Sequence, residues 1–248
     1  MKILLINGNM TQAITDGCVS AAREVAAAGT EVIGVTGTFG PQVIGSRSEN
    51  ALAQHGMLEL AAAHASGCDA VLIAVSMDTG LSALRELLPV PVVGMTEAAA
   101  LTACTLGGRF AVVTFGRRNV PTYTELLAGY GLASRCTGVE AIDAGPAAAL
   151  SDPEAAVTAL AGLAHAAIER GAESILLAGA VAAGWQRGLQ ARVPVPVVEG
   201  IRAGTLLCES LVRLALPRPG TGSYSAPGSR AVHGVSPALA RLFRGESS

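Results

Sequence analysis

The sequence predicts an α/β protein of two pseudo-symmetric lobes, each a mainly parallel sheet flanked by helices, with an active cleft between them. Three observations lead there. Short apolar runs of strand length alternate with longer Ala/Leu-rich segments along most of the chain. The run that ends in Leu72-Ile73-Ala74-Val75-Ser76 has a counterpart in Ile175-Leu176-Leu177-Ala178-Gly179, with Val71 on Ile175, Ala74 on Ala178 and Val75 on Gly179. The match extends on both sides. Val90-Pro91-Val92-Val93 echoes Val195-Pro196-Val197-Val198, and Lys2-Ile3-Leu4-Leu5-Ile6-Asn7 echoes Arg109-Phe110-Ala111-Val112-Val113-Thr114.

In chain order, 3–6 is a continuous apolar run, as in a parallel strand buried on both faces, and it breaks at Asn7-Gly8-Asn9. A helix that carries Cys18 to Ala28 follows, with Thr11 or Thr15 as its cap and Gly29 as its stop. Strand 31–35 leads into a Gly/Thr/Ser/Pro-rich stretch, 36–48, long enough to suggest a substrate lid or wall. Helix 49–65, strand 69–75, helix 82–88, strand 90–94 and helix 96–106 complete the first lobe, 1–107. Gly107-Gly108 is the expected hinge.

The second lobe, 108–216, reads as strand 109–114, loop 115–120 and a helix to Gly129 opened by Pro121. Strand 135–142 and a helix capped by Asp152 and running to Arg170 come next. Strand 174–178, helix 185–192, strand 195–198 and helix 201–214 follow, and part of the last helix is expected to pack back on the first lobe. Residues 217–248 are a Pro/Gly/Ser-rich tail, and composition favours disorder over an ordered arm.

Composition removes several function classes. Half of the 248 residues are apolar, 15% are charged and the net charge is −2, so nucleic acid is not expected as a partner. No uninterrupted apolar run reaches the ~18 residues of a membrane span, and the N-terminal apolar run is too short for a signal peptide. Cys18, Cys68, Cys104, Cys136 and Cys208 show no CxxC spacing, and the four histidines are far apart. Reduced thiols, a cytoplasmic location, no metal and no cofactor are the expectations. A poorly charged surface over Ala/Leu-rich helices suggests a homo-oligomer, a dimer or larger.

Ligands of open parallel sheets sit beyond the carboxyl ends of the strands. The two-fold pairing puts Asn7, Asn9, Val75, Ser76, Thr114, Gly179 and Ala180 there, ringing one cleft if the lobes face each other, with Val181 a further substrate-binding candidate. Each also has a plainer role. Ser76 and Asp78 suit helix caps, Asn7 and Asn9 suit loop pinning, and Glu97 suits a helix N-terminus. Tyr123 is a catalytic or a buried phenol, Trp185 covers ligand or fills core, and Arg47 meets an acidic substrate or solvent. His55 and His64 read as solvated.

At these residues the sequence resembles the hydantoin and allantoin racemases of the aspartate/glutamate racemase superfamily, over nearly the whole chain. The resemblance rests on Ile6-Asn7-Gly8-Asn9 (usually I-N-P-N), Gly40-Pro41, Asp69-Ala70, and Asp78-x-Gly80-Leu81. It continues through Pro91-Val92-Val93-Gly94 with Glu97-Ala98, Arg109-Phe110, Val112-Val113-Thr114 and Tyr130-Gly131-Leu132. Arg135-Cys136, Gly171-Ala172-Glu173 and Glu209-Ser210-Leu211-Val212 complete it. The resemblance implies two cysteines facing each other across the substrate carbon, one removing a proton and the other returning it. The family pattern A-C-F-G-D-P-G-L stands here as Ala74-Val75-Ser76-Met77-Asp78-Thr79-Gly80-Leu81, and L-G-C-A-G as Leu177-Ala178-Gly179-Ala180-Val181. Val75 and Gly179 therefore stand where the thiols belong. Arylmalonate decarboxylases keep a Gly-Thr-Ser segment at the first site, which Ser76 resembles, and only the second cysteine, which is missing here.

With neither thiol, what survives is a cradle of N–H groups and hydroxyls for a carboxylate or enolate oxygen, supplied by Ser76, Thr114, Asn9 and the segment at Gly179-Ala180. Asp78, Tyr123, Glu97 or water would then move protons. The expected function is a cofactor-independent cyclisation, dehydration, decarboxylation or isomerisation through the enolate of a small carboxylate or carbonyl substrate. A non-catalytic ligand binder, and a racemase or epimerase using bases other than cysteine, are the alternatives. None of the five cysteines is expected to be catalytic.

Overall fold

The computed structural model describes residues 1–245, so the last three residues of the expected tail lie outside the described residues. The first half contains β1 (Lys2–Asn7), α1 (Gln12–Arg23), β2 (Glu31–Thr36), α2 (Arg47–His64), β3 (Ala70–Ile73), α3 (Leu81–Leu87), β4 (Val92–Gly94) and α4 (Met95–Leu106). The second contains β5 (Phe110–Phe115), α5 (Val120–Gly129), β6 (Cys136–Ile142), α6 (Pro146–Ser151), α7 (Pro153–Glu169), β7 (Ser174–Leu177), α8 (Gln186–Gln190), β8 (Val197–Glu199) and α9 (Gly200–Leu214). A last helix, α10 (Pro237–Phe243), follows a long irregular stretch.

The strands form two four-stranded parallel sheets of identical order, β2-β1-β3-β4 and β6-β5-β7-β8. Register confirms the internal repeat. Ile3 pairs Ala70 as Phe110 pairs Ser174, and Val71 pairs Val92 as Ile175 pairs Val197. The central strands are buried throughout, which is why they read as unbroken apolar runs. In each sheet the chain order reverses beside the first strand, so a ligand crevice is expected at the carboxyl ends of β1 and β3, and of β5 and β7.

The halves exchange helices. Ala99, Ala100 and Ala103 of α4 pack with Phe110, Val112 and Leu176 of the second sheet. Ile201 and Cys208 of α9 pack with Leu5, Leu72 and Val93 of the first. The seam between the lobes is thus part of both cores.

Three local differences from the sequence reading have clear causes. Helix α1 starts at Gln12, as a cap at Thr11 implies, but ends at Arg23 rather than Ala28, because Glu24 N–H already closes on Ala22 O and Ser20 O and the chain turns there. Thr11 is its N-cap position, but the hydroxyl donates instead to Gln42 O at 2.8 Å, tying the first loop to the lid-like stretch. The tail, expected to be disordered, lies over the first half. Leu239 of α10 is buried and Leu242 packs against the core of β1, β3 and α2, while Arg218 donates to Glu86 O at 2.7 Å.

Candidate active site

A narrow cavity of about 40 Å³ lies where the two sets of strand ends meet. It is lined by Asn9 after β1, Val75, Ser76 and Met77 after β3, Thr114 and Phe115 at the end of β5, and Gly179, Ala180 and Val181 after β7. Tyr123 on α5, Asn119 just before it, Ile14, Val43, Ile44 and Pro146 close the walls. Larger grooves, of about 720 Å³ between α2, α10 and the end of β2 and about 590 Å³ along α1, lie off the seam and are lined by the first half and α10 alone. The cavity holds only a few water molecules. Val43 and Ile44, from the loop between β2 and α2, form one part of its wall.

Across the seam, Tyr123 Oη donates to Ser76 Oγ at 2.7 Å, joining the halves inside the cavity. Burial pushes the Tyr123 phenol up, while the hydroxyls of Ser76 and Thr114 pull it down less strongly. The phenol is therefore protonated at neutral pH. The turn bearing Ser76 is fixed from behind, because Thr96 Oγ1 donates to Ser76 O at 2.6 Å and Asp78 N–H to Val75 O at 2.8 Å. The N–H groups of Ser76, Met77, Ala180 and Val181 meet no acceptor among the described residues, so each half offers two donors beside the cavity. Such donors suit a developing oxyanion.

Asn9 is set by its neighbour. Its Oδ1 accepts from Asn7 Nδ2 at 3.0 Å and from Thr11 N at 2.9 Å, and Asn7 Nδ2 also donates to Thr15 Oγ1 at 3.0 Å. Asn7 is wholly buried behind the cavity and acts as a support rather than a lining group. At Gly179 the backbone adopts φ +118°, and an added Cβ would come within 2.8 Å of the Phe115 ring, which fills the space beside it.

Four further residues that the sequence offers as site groups lie elsewhere. Asp78 turns away from the cavity with φ +47°, and its carboxylate accepts from Thr96 N at 3.0 Å, Glu97 N at 2.8 Å and Tyr130 Oη at 2.7 Å. It thereby caps α4, not the α3 that follows it, and lies so close over Gly94 that a Cβ there would meet its Cγ at 2.5 Å. Burial raises its pKa to about 7. Glu97 forms a two-point ion pair with Arg85. Arg47 is exposed and meets Glu125 of α5 at 2.5 Å, outside the cavity. Trp185 is partly buried and packs edge-on against Phe115 at 5.9 Å, behind the wall.

Sequence reasoning missed Ile14, Val43, Ile44, Met77, Phe115, Asn119 and Pro146. Val43 and Ile44 lay within the stretch flagged as a lid, and Asn119 within the loop after β5, where the strand-end rule points. No cysteine lines the cavity. Cys18, Cys68 and Cys208 are buried, and burial pushes all three thiols up. Among the described residues no three His, Cys, Asp or Glu side chains cluster as a metal site, and no helix is long and apolar enough to cross a membrane.

The profile of the Asp/Glu/Hydantoin racemase family matches residues 3–208. The hydantoin racemase of Pseudomonas sp. (strain NS671) is 34% identical over 229 residues, which covers 92% of each chain. Among solved structures, the allantoin racemase from Pseudomonas fluorescens superposes with a TM-score of 0.91 at 39% identity, covering 94% of this chain and 100% of that one. The allantoin racemase from Klebsiella pneumoniae gives 0.91 at 33% identity, covering 96% and 98%.

Proposed function

Because the chain belongs to the Asp/Glu/hydantoin racemase family, we propose that it is a racemase-type isomerase in which hydroxyl groups, rather than thiols, move the proton. The relatives support racemisation or epimerisation ahead of the cyclase, dehydratase or decarboxylase chemistry that missing thiols alone would suggest. The reading has one main support. Tyr123 and Ser76 form a 2.7 Å hydroxyl pair inside a cavity that Val75 and Gly179 line and no cysteine enters. On this reading the substrate's carbonyl oxygen takes the N–H groups at Ser76-Met77 or Ala180-Val181 as its α-carbon loses a proton. The ionised Ser76–Tyr123 pair accepts that proton on one face, and a proton delivered from water to the opposite face of the planar enolate completes the inversion.

A neutral hydroxyl pair is a poor base, so abstraction requires its ionised form. Burial holds Tyr123 above the ordinary phenol value, which keeps that form scarce at neutral pH. The rate should therefore climb about tenfold per pH unit through neutral and mildly alkaline pH. The hydroxyls of this pair favour a second reading as well. A lyase that forms its enolate by losing carbon dioxide needs only a proton donor on one face, and its rate would stay flat and then fall as Tyr123 ionises.

The test incubates single-enantiomer 5-benzylhydantoin in D2O and follows optical rotation and α-deuterium exchange against an enzyme-free control, with carbon dioxide release from phenylmalonate scored in parallel. Tyr123→Phe and Ser76→Ala should each slow exchange by about a hundredfold. Alkylation of accessible cysteines should leave the rate unchanged. Exchange at the control rate, or wild-type turnover by both variants, rejects the proposal.

A further inference from the structure

Among the described residues, Asn119 Oδ1 is a buried side-chain oxygen without a hydrogen-bond partner, and Asn119 lines the cavity. Its orientation is not arbitrary. Asn119 Nδ2 donates to Phe115 O at 3.2 Å, and reversing the amide would set two oxygens against each other. The backbone is anchored as well, since Asn119 N–H donates to Gly116 O at 3.0 Å. The oxygen is thus held in place with its acceptor capacity unused. Buried acceptors in folded proteins are nearly always bonded, so one that is held open on a cavity wall calls for a donor from whatever fills that cavity.

We propose that Asn119 is a specificity-determining residue whose side-chain oxygen accepts a hydrogen bond from an N–H of the substrate. An amide oxygen only accepts, so it repels a carboxylate and rewards an amide-type N–H. The cavity's other open groups, the N–H donors at Ser76-Met77 and Ala180-Val181, take an oxygen. Together they fit a ligand with a carbonyl at one end and an N–H at the other, and they disfavour one with two carboxylates. The inference rests on the reading above only in treating this cavity as the place where substrate reacts. It assigns Asn119 no part in proton transfer.

Isothermal titration tests it with four probes: 5-benzylhydantoin, its N3-methyl derivative, 5-benzyloxazolidine-2,4-dione, in which a ring oxygen replaces the N–H beside the reacting carbon, and phenylmalonate. The wild-type chain should bind the parent at least tenfold more tightly than one of the two analogues that lack an N–H, because a site built around a buried polar group rejects the ligand that leaves it unpaired. In Asn119→Leu that ratio should fall to about one through weaker binding of the parent, while phenylmalonate binding holds or improves. Asn119→Ala carries the same comparison if the leucine variant does not fold. An unchanged ratio in the variants, a wild-type preference for phenylmalonate, or no wild-type binding of any of the three rings overturns the inference. Deuterium exchange is scored separately. Exchange without discrimination removes this inference and leaves the isomerase reading, whereas discrimination without exchange does the reverse.

Discussion

Gly179→Ala isolates what the cavity wall permits. The residue sits at φ +118° and ψ +117°, a region that side chains rarely enter. The new Cβ would stand 2.8 and 2.9 Å from Cδ2 and Cε2 of Phe115. That ring is itself buried and has Trp185 edge-on against it at 5.9 Å, so it has little room to retreat. Backbone strain of this kind costs about 1–3 kcal/mol, and overpacking a tight site adds about 1–3 kcal/mol more. A total near 4 kcal/mol corresponds to a fall in Tm of about 8–16 °C for a chain of this size. Thermal unfolding followed by circular dichroism reads it directly. Phe115→Leu in the same chain should recover only the contact part, giving a coupling of about 1–2 kcal/mol in a double-mutant cycle. Gly179→Cys should be destabilised at least as much and gain no thiol-dependent racemisation, since Val75 faces the same cavity. A Tm within ~2 °C of wild type for Gly179→Ala refutes the reasoning, because it would mean that the wall yields freely.

Further outcomes follow from other parts of the molecule. Burial lifts the carboxyls of Asp78 and Glu199 to about 7, from ordinary values of 3.8 and 4.5. Between those limits the folded state holds protons that the unfolded chain has lost, so their contribution to stability declines as pH rises from about 4 to 7. Asp78→Asn should flatten that decline, read as urea midpoints at pH 5 and pH 8; the same slope in variant and wild type would contradict it. Leu239→Ala removes the buried anchor of α10 at a local cost of about 2–3 kcal/mol, and trypsin should then cut at Arg230 or Arg241 at least about tenfold faster. Cleavage at the wild-type rate would mean that the arm is held elsewhere. Leu101 of α4 and Leu206 of α9 are exposed at matching positions of the two halves, and we expect a homo-oligomer; a monomer by light scattering at micromolar concentration rules this out.

The fold was largely legible because strands buried on both faces spell themselves as apolar runs, and because the repeat is written twice. Its ends were less so. Ser236-Pro237 followed by Leu239 and Leu242 does carry a helix start, with Ser236 Oγ accepting from Leu239 N at 3.1 Å, but the Pro/Gly/Ser composition before it masks the signal. Pro146 opens the short α6 in the same way. In the site, strand-end reasoning found Ser76 and Thr114 but could not separate Ser76 from Asp78. The two lie two residues apart in a turn, and only the turn's geometry sends one hydroxyl into the cavity and the other side chain onto α4. Asn119 was illegible for a different reason. Nothing in Arg117-Arg118-Asn119 says that the amide will be bound on one side and open on the other.

Asp78, which the sequence offers as a proton-transfer group, instead explains why the Ser76 turn is held so firmly. Asp78 joins three segments, the turn after β3, the start of α4 and Tyr130 beyond α5, and so fixes the Ser76 turn against the half that supplies Tyr123. Because α4 and α9 each complete the other half's core, moving the lobes apart would expose two packed surfaces at once. The mouth is held by less. The Arg47–Glu125 pair is exposed on both sides, and such pairs contribute about 0–1 kcal/mol. The loop bearing Val43 and Ile44 is tied to the first loop by Met10 N to Pro41 O at 3.2 Å and Thr11 Oγ1 to Gln42 O at 2.8 Å. The wall that Val43 and Ile44 contribute thus rests on two hydrogen bonds from the first loop, whereas the Ser76–Tyr123 pair spans a seam shared by both cores.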